Sequence, residues 1–226
     1  MTLDIIREDI EKYKEFINST RKFDEVYKWE ALQTFQENWN IEATDFRLMF
    51  DNSFKNKLNN LWANPHWFPK SVMLTFIELD KERVRTMFRE LFDEDKLIDK
   101  RIDHFVWHCD ELLKIVAAEQ PTFKSHFHDG QRMITLYLAF RFPEKYAIYK
   151  FTEFKTFMEH VRAKNIPGTG EYERFFKVVR TLYGIITQDK ELVDMQKSLL
   201  TSSCFEGETL MLAQDFIFVT ARRFMN

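Results

Sequence analysis

The residues best suited to chemistry are cations and aromatic rings that alternate between positions 132 and 155. Cations can contact the phosphates of a nucleic acid, and aromatic rings can stack on its bases. The alternative is that the tyrosines pack in the core while the lysines form a solvated face, and composition alone favours this second interpretation. The nucleic-acid hypothesis names these contact residues: Arg132, Arg141, Lys145, Tyr149, Lys150 and Lys155.

A second group of aromatic residues lies in the segment 62–68. Pro65 and Pro69 push the residues before them toward an extended conformation, so the segment is predicted to be a loop. Its rings could line a pocket for a base flipped out of a duplex, or they could pin the loop to the core. The residues of this possible base pocket are Trp62, Trp67 and Phe68.

Two histidines and a glutamate form the weak candidate for a metal site. His104, His108 and Glu111 share one side of a helix predicted over 98–118, and such a set can bind zinc or iron. The glutamate that an HExxH motif places between its histidines is missing, and no second helix offers an evident complementary ligand. The favoured interpretation is polar residues at the edge of the core. No metal or other cofactor is therefore expected in this chain.

Other catalytic patterns are incomplete. The loop residues 126–129 (HFHD) could supply a general base or metal ligands, but neighbours in a loop rarely adopt that geometry. The segment 168–170 (GTG) precedes a helix without the remaining residues of a phosphate-binding loop. Cys109 and Cys204 belong to no CxxC motif, and no GxSxG motif is present. The sequence therefore predicts no catalytic residues, and the chain is not expected to be an enzyme by itself.

The elements that must position these residues are predicted to be helices. Of the 226 residues, 45% are hydrophobic, and 24 are phenylalanines, which is enough for a sizeable core. Only 5 glycines and 5 prolines are available for turns, so the fold class is predicted to be mainly α and multi-helical. One or two short strands are expected near 145–150, where β-branched and aromatic residues occur.

Apolar residues recur at helical spacing along most of the chain. Segment 131–142 is apolar on every face, so it is expected to be a central helix that the others surround. The loop 163–170 is the best candidate for a division of the chain. It predicts a helical N-terminal domain over 1–165 and a helical C-terminal subdomain over 166–226, with one continuous domain as the alternative. The predicted helices cover 3–17, 24–39, 44–54, 72–79, 81–91, 98–118, 131–142, 152–160, 172–186, 190–199 and 210–224.

Net charge and apolar runs restrict the class of protein. The formal net charge of −3 and the pI near 6.1 exclude a strongly basic body that coats nucleic acid by charge alone, although a local basic face is compatible with them. No run approaches the roughly 18 apolar residues of a membrane span, so no membrane association is expected. The polar residues after Met1 and the two separated cysteines predict a cytoplasmic protein.

Several short segments together suggest a family. In chain order they are WEA at 29–31, FQENW at 35–39, RELFDE at 89–94, YL at 137–138, RFPEKY at 141–146, YKF at 149–151 and QDFI at 214–217. Taken together, they resemble the N-terminal region of bacterial McrB-type AAA+ proteins, the motor subunits of restriction systems specific for 5-methylcytosine. The resemblance extends over nearly the whole chain.

The resemblance implies a function. In this family a variable N-terminal domain reads DNA, a GTP- or ATP-driven AAA+ ring follows it, and a separate nuclease subunit cuts. The Walker motifs would then lie beyond residue 226. The first hypothesis is accordingly a DNA-recognition module that senses a modified base in defence against foreign DNA. The alternative is a helical module for protein interaction or assembly that docks through the amphipathic helices 3–17 and 210–224. A stand-alone metal enzyme using His104 and His108 is a third possibility.

Overall fold

The computed structural model describes residues 1–19, 25–57, 61–63, 66–130 and 132–224. Helices fill most of these ranges and no β-strand occurs in them, which confirms the mainly α, multi-helical fold class. The helices are α1 (Leu3–Ser19), α2 (Tyr27–Asn38), α3 (Phe46–Ser53), α4 (Pro69–Leu79), α5 (Lys81–Leu91), α6 (Ile98–Glu119), α7 (Arg132–Arg141), α8 (Phe151–His160), α9 (Tyr172–Ile186), α10 (Lys190–Leu199) and α11 (Met211–Val219), followed by a π-helical turn at Thr220–Phe224. Within these residues, no helix is both long and apolar enough to span a bilayer.

The prediction of one or two short strands near 145–150 is wrong. Residues 146–149 of this segment are buried, its backbone is irregular, and two of its N–H groups bond to side chains of neighbouring helices. The N–H of Ile148 donates to Oε1 of Gln214 in α11 at 3.1 Å, and that of Tyr149 donates to Oγ1 of Thr135 in α7 at 2.9 Å. These side chains satisfy the groups that a neighbouring strand would otherwise have to satisfy. The β-branched and aromatic residues here reflect burial rather than a sheet.

Side-chain caps determine where three helices begin. Asp80 and Asp189 accept hydrogen bonds from backbone N–H groups in the first turns of α5 and α10, as predicted. The cap of α3 is Asp45, which accepts from the N–H of Leu48 at 2.9 Å, and not Thr44 as predicted. Parts of two predicted helices and of the 62–68 loop, namely Asp24, Gln131, Asn64 and Pro65, lie outside the described residues.

Helix α7 lies at the centre of the molecule, as its apolar sequence predicts. Every residue from Met133 to Phe140 is buried. The ring of Tyr137 contacts a layer of phenylalanines from three surrounding helices and from the residue after α3, with centroids 5.0–6.2 Å apart; they are Phe50, Phe54, Phe88 and Phe105. Such offset and edge-on pairs add to the stabilisation that burial provides.

Helix α11, near the end of the described chain, contacts the helices near its beginning. The buried carboxylate of Asp215 accepts hydrogen bonds from the hydroxyl of Tyr13 in α1 and from Nζ of Lys28 in α2, both at 2.7 Å. Helix α11 also packs on α8 and α9, and α10 packs on α1. One hydrophobic core contains residues from both sides of position 165. The division of the chain at residue 165 stays a prediction.

Candidate functional site

A cleft brings three of the predicted contact residues together. We call it the Lys150 cleft. It lies where the first turns of α7 and α8 meet the end of α11, and it has a volume of about 470 Å³. The polar and charged side chains along it include Glu25, Arg132, Tyr149, Lys150, Glu153 and Arg222. Two arginines and a lysine therefore share this small space with two carboxylates.

Lys150 has the most unusual surroundings of these residues. It is the residue before α8, and its ammonium group lies 4.1 Å from the ring centroid of Phe218 in α11. Burial, followed by the nearby charges of Lys28 and Arg132, lowers the pKa of Lys150 to about 8. None of the ion pairs in the described part of the chain involves this side chain. The charges of Glu153 and Glu25 act in the opposite direction with smaller effect, and neither carboxylate forms an ion pair with this half-buried ammonium group among the described residues.

Arg132 links the cleft to the aromatic loop. Its guanidinium carbon lies 4.5 Å from the ring centroid of Trp67, close enough for a cation–π contact. Burial lowers the pKa of Arg132. A predicted phosphate contact and a predicted base-pocket residue are therefore neighbours in space, although 65 positions separate them in the sequence.

Two carboxylates are already paired inside or beside the cleft. Glu153 binds Arg222, whose Nε lies 3.1 Å from Oε1, and this pairing helps to lower the pKa of Glu153 against the effect of burial. Glu25 contacts Nζ of the buried Lys28. Phe218 and Arg222 line the cleft and were not predicted from the sequence, nor was the role of the neighbouring Lys28. The consecutive arginines 222 and 223 at the end of an apolar helix were the one available signal.

The remaining predicted cations lie away from the cleft. Lys145 is exposed and pairs with Glu94, and Lys155 is exposed with Glu159 at 3.8 Å. Arg141 is exposed beside the ring of Phe142, 5.1 Å from its centroid. The structure therefore does not bring the six predicted contact residues onto one continuous face.

Tyr149 is buried rather than presented for stacking. Its ring packs edge-on against Tyr172 and Phe175, with centroids 5.3 Å and 4.9 Å away. Its hydroxyl accepts a hydrogen bond from the N–H of Gly170 at 3.3 Å. Gly170 has a φ of +85°, a conformation that glycine adopts without strain. Tyr149 is thus a buried residue of the cleft wall and does not present its ring for stacking.

The three predicted base-pocket residues have different surroundings. Trp62 is fully buried, and its ring packs edge-on against Phe54 at 5.5 Å. Phe68 is 42% exposed and packs against Phe127 at 4.6 Å. Of the three, Trp67 is the one that contacts a residue of the Lys150 cleft. A base stacked near the cleft would therefore meet Trp67.

No complementary motif on a second helix is evident in the sequence, but the packing of α5 on α6 places a carboxylate opposite the two histidines. Glu90 of α5 faces them, with Oε2 2.8 Å from Nδ1 of His104 and 3.8 Å from Nε2 of His108. Glu111, the carboxylate named from the sequence, is instead paired with Lys114. The carboxylate of this group thus comes from a neighbouring helix.

Cys109, His126 and His128 form a buried group that also has metal-ligand composition. Nε2 of His126 lies 3.1 Å from Oδ1 of Asp110, and Nε2 of His128 lies 3.1 Å from the hydroxyl of Tyr137. Burial lowers the pKa of His128 to about 3, so its imidazole is neutral near pH 7. These polar groups satisfy one another, and the group is best explained as a structural hydrogen-bond network.

No protein-family model, curated protein or solved structure matches this chain. The Lys150 cleft and its surroundings are therefore the structural basis for a proposed function. A cleft of this size can accept one phosphate group or one nucleotide, and it combines cations with exposed parts of aromatic rings. These are the features from which a function can be proposed.

Proposed function

We propose that this chain is a DNA-recognition module that binds the nucleic acid through the Lys150 cleft. The observation that carries the proposal is the ammonium group of Lys150, half-buried and without a carboxylate partner among the described residues. Burying a charge is unfavourable unless an opposite charge accompanies it. A phosphate oxygen entering the cleft would supply that charge, and Arg132 would lie beside it.

An aromatic residue next to the cleft would allow a base to bind beside the phosphate. Trp67 lies on the guanidinium of Arg132 and is only partly buried, so part of its ring is accessible. A base next to the bound phosphate could stack there, and the volume of the cleft fits a single nucleotide better than a duplex. This arrangement supports recognition of a displaced or flipped base, including a modified one.

The resemblance to McrB-type AAA+ proteins supports a wider context for this proposal. A GTP- or ATP-hydrolysing AAA+ domain would follow residue 226, and a nuclease subunit would be the partner that cuts DNA. The chain itself would need no catalytic residue and no cofactor for this role. Its contribution would be to place the motor on the correct DNA, in defence against foreign genomes.

Fluorescence anisotropy with labelled DNA tests the proposal. The duplexes would be unmodified or carry methylated or hydroxymethylated cytosine, and single strands of the same sequence would be included. Replacing Lys150 with Gln should weaken binding of every sequence and reduce the slope of log K against log salt by about 0.9, since about one phosphate contact is lost. Preference for one modified duplex would identify the base that is read.

Lys155→Gln is the matched control for this experiment. Lys155 lies in α8, the helix that Lys150 precedes; it is exposed and does not line the cleft. Binding that is weakened equally by the two substitutions would reflect general charge and would contradict the assignment to the cleft. Absence of binding to any DNA at low salt would contradict the function itself.

The alternative, a module for protein interaction or assembly, has less support. The apolar residues that suggested docking at the two ends of the chain are largely buried within the molecule. In α1, Ile6 and Tyr13 pack in the core, and Phe216 of α11 packs edge-on against Tyr13. Light scattering coupled to size exclusion tests the self-assembly form of this alternative: a strict monomer at micromolar concentration would count against it.

A further inference from the structure

Two helices bring three metal-ligating side chains together outside the Lys150 cleft. His104 and His108 are four residues apart on α6 and therefore lie one above the other on the same face. Glu90 belongs to α5, which packs against α6. One atom from each of the three side chains lies within 4.8 Å of the other two. We call this group the Glu90 triad.

The spacing within the Glu90 triad suits a small divalent ion. Oε2 of Glu90 lies 2.8 Å from Nδ1 of His104 and 3.8 Å from Nε2 of His108. A zinc ion about 2.1 Å from each ligand in a tetrahedral site holds ligand atoms roughly 3.4 Å apart. The two Glu90 distances lie within about 0.6 Å of this spacing, and the ligand atoms of the two histidines lie within 4.8 Å of each other. Side-chain rotation can bring the three atoms to the spacing of a coordinated ion.

One carboxylate oxygen of Glu90 lacks a well-formed hydrogen bond from the described residues. Oε2 of Glu90 is shielded from solvent, and none of the described residues gives it a hydrogen bond of normal geometry, although His104 is close. A shielded carboxylate oxygen without a donor is unfavourable by comparison with one in water. A cation held between Glu90 and the histidines would remove this deficit.

We propose that the Glu90 triad is a binding site for a divalent transition metal ion of the zinc class. Two imidazoles and one carboxylate favour Zn²⁺, Co²⁺ or Ni²⁺ over Mg²⁺ and Ca²⁺, which prefer oxygen ligands throughout. His104 is 48% exposed on its side chain, so water completes the coordination sphere. The site is thus open on one side, unlike the closed four-ligand sites that hold folds together.

A hydrogen bond from Arg83 to His108 opposes coordination of the metal by this histidine. Its Nε–H donates to Nδ1 of His108 at 3.2 Å, so the imidazole proton is on Nε2, the atom that faces Glu90. A metal ion at Nε2 requires the other tautomer, with the proton on Nδ1. Arg83 therefore competes with the metal for His108, and its positive charge adds to the competition.

Isothermal titration of the intact, untagged 226-residue chain with ZnCl₂ tests the site, and cobalt absorption spectra report the ligand set. The wild type should bind one ion per chain at this site. Glu90→Gln and His104→Ala should each weaken binding by about tenfold or more, since even loss of a group that merely orients a ligand costs 10- to 100-fold. Arg83→Met should bind zinc more tightly than the wild type.

Glu111→Gln is the matched control, because Glu111 lies on the same helix as the histidines and pairs with Lys114. It should bind zinc as the wild type does, and circular dichroism should show that all variants keep the same helical content. Lack of stoichiometric binding, or equal losses in Glu90→Gln and Glu111→Gln, would overturn the proposal. Unchanged affinity in Arg83→Met would overturn the role given to Arg83.

Discussion

The surroundings of Lys150 make the charged form of its side chain unfavourable. Its pKa is lowered from the 10.5 of an unburied lysine, as in the unfolded chain, to about 8 in the folded chain, with burial as the largest cause. Below pH 8 both states are protonated, and the unfavourable burial of the charge is fully present. Between about pH 8 and 10.5 the unfolded chain binds the proton and the folded chain does not, so the stability contribution rises with pH. A bound phosphate would act in the opposite direction and raise the pKa.

DNA binding should therefore weaken as the pH rises through 8. If only the charged amine binds phosphate, the affinity of the wild type should fall by up to about tenfold between pH 7 and 9. Lys150→Arg keeps its charge throughout this range, so its binding should be nearly independent of pH. Anisotropy titrations at constant ionic strength measure both. Parallel curves for the two proteins would show that Lys150 does not titrate in the binding reaction.

Sequence could identify some site residues but could not group them. Arg132, Lys150 and Trp67 were named from residue type alone, because cations and rings are the groups that bind nucleic acid. Phe218 and Glu90 were not, since their roles depend on which helices pack together. Residue type also cannot separate Lys150 from Lys155, which lies five positions later with its side chain in solvent.

At the scale of elements, one buried ion pair joins α2 to α11. Lys28 and Asp215 are almost fully buried, and Nζ lies 2.7 Å from Oδ1. Burial alone would lower the pKa of Lys28, but the charges of Asp215 and Glu25 outweigh burial and raise it. The hydroxyl of Tyr13 in α1 donates to the other carboxylate oxygen at 2.7 Å. Helices α1 and α2, near the start of the chain, therefore meet α11, near its end, at one carboxylate.

Replacing Asp215 with Ala should lower the free energy of unfolding by about 3–5 kcal/mol, because Lys28 would remain buried without its strongest partner. Urea titrations followed by circular dichroism measure the change. Arg89→Ala is the control: it breaks an ion pair with Glu42 in which both side chains are exposed, and it should have a much smaller effect. Similar losses in the two variants would mean that the buried pair contributes no more than a surface pair.

The helices could be predicted from the sequence, but the irregular connection between α7 and α8 could not. Apolar periodicity identified the helical segments because each helix buries one stripe, and α7 was recognisable because all its faces are apolar. The cap of α3 was displaced by one residue because Thr44 and Asp45 both suit that position. The segment 145–150 resembled a strand because propensity reports burial as well as pairing, and here side chains of α7 and α11 take the role of a neighbouring strand.

At the scale of the whole molecule, the packing of the last helices bears on the predicted division of the chain. Helix α11 packs on α8 and α9, and its Asp215 reaches α1 and α2. A fragment ending at residue 165 would lose these partners and expose the apolar faces that they cover. We expect the fragment 1–165 to lack a cooperative urea transition, whereas the full chain should show one. A cooperative transition in the fragment, with native helical content, would instead establish an independent N-terminal domain.

The central position of α7 also has a consequence for motion. Its residues from Met133 to Phe140 are buried on all sides, so its amide hydrogens can reach solvent only when the helices around it separate. In hydrogen–deuterium exchange these amides should be the slowest in the chain, and their rates should report the global opening of the fold rather than local fraying. Since Arg132 is the first residue of this helix, one side of the Lys150 cleft would then be attached to the helix that we expect to exchange most slowly.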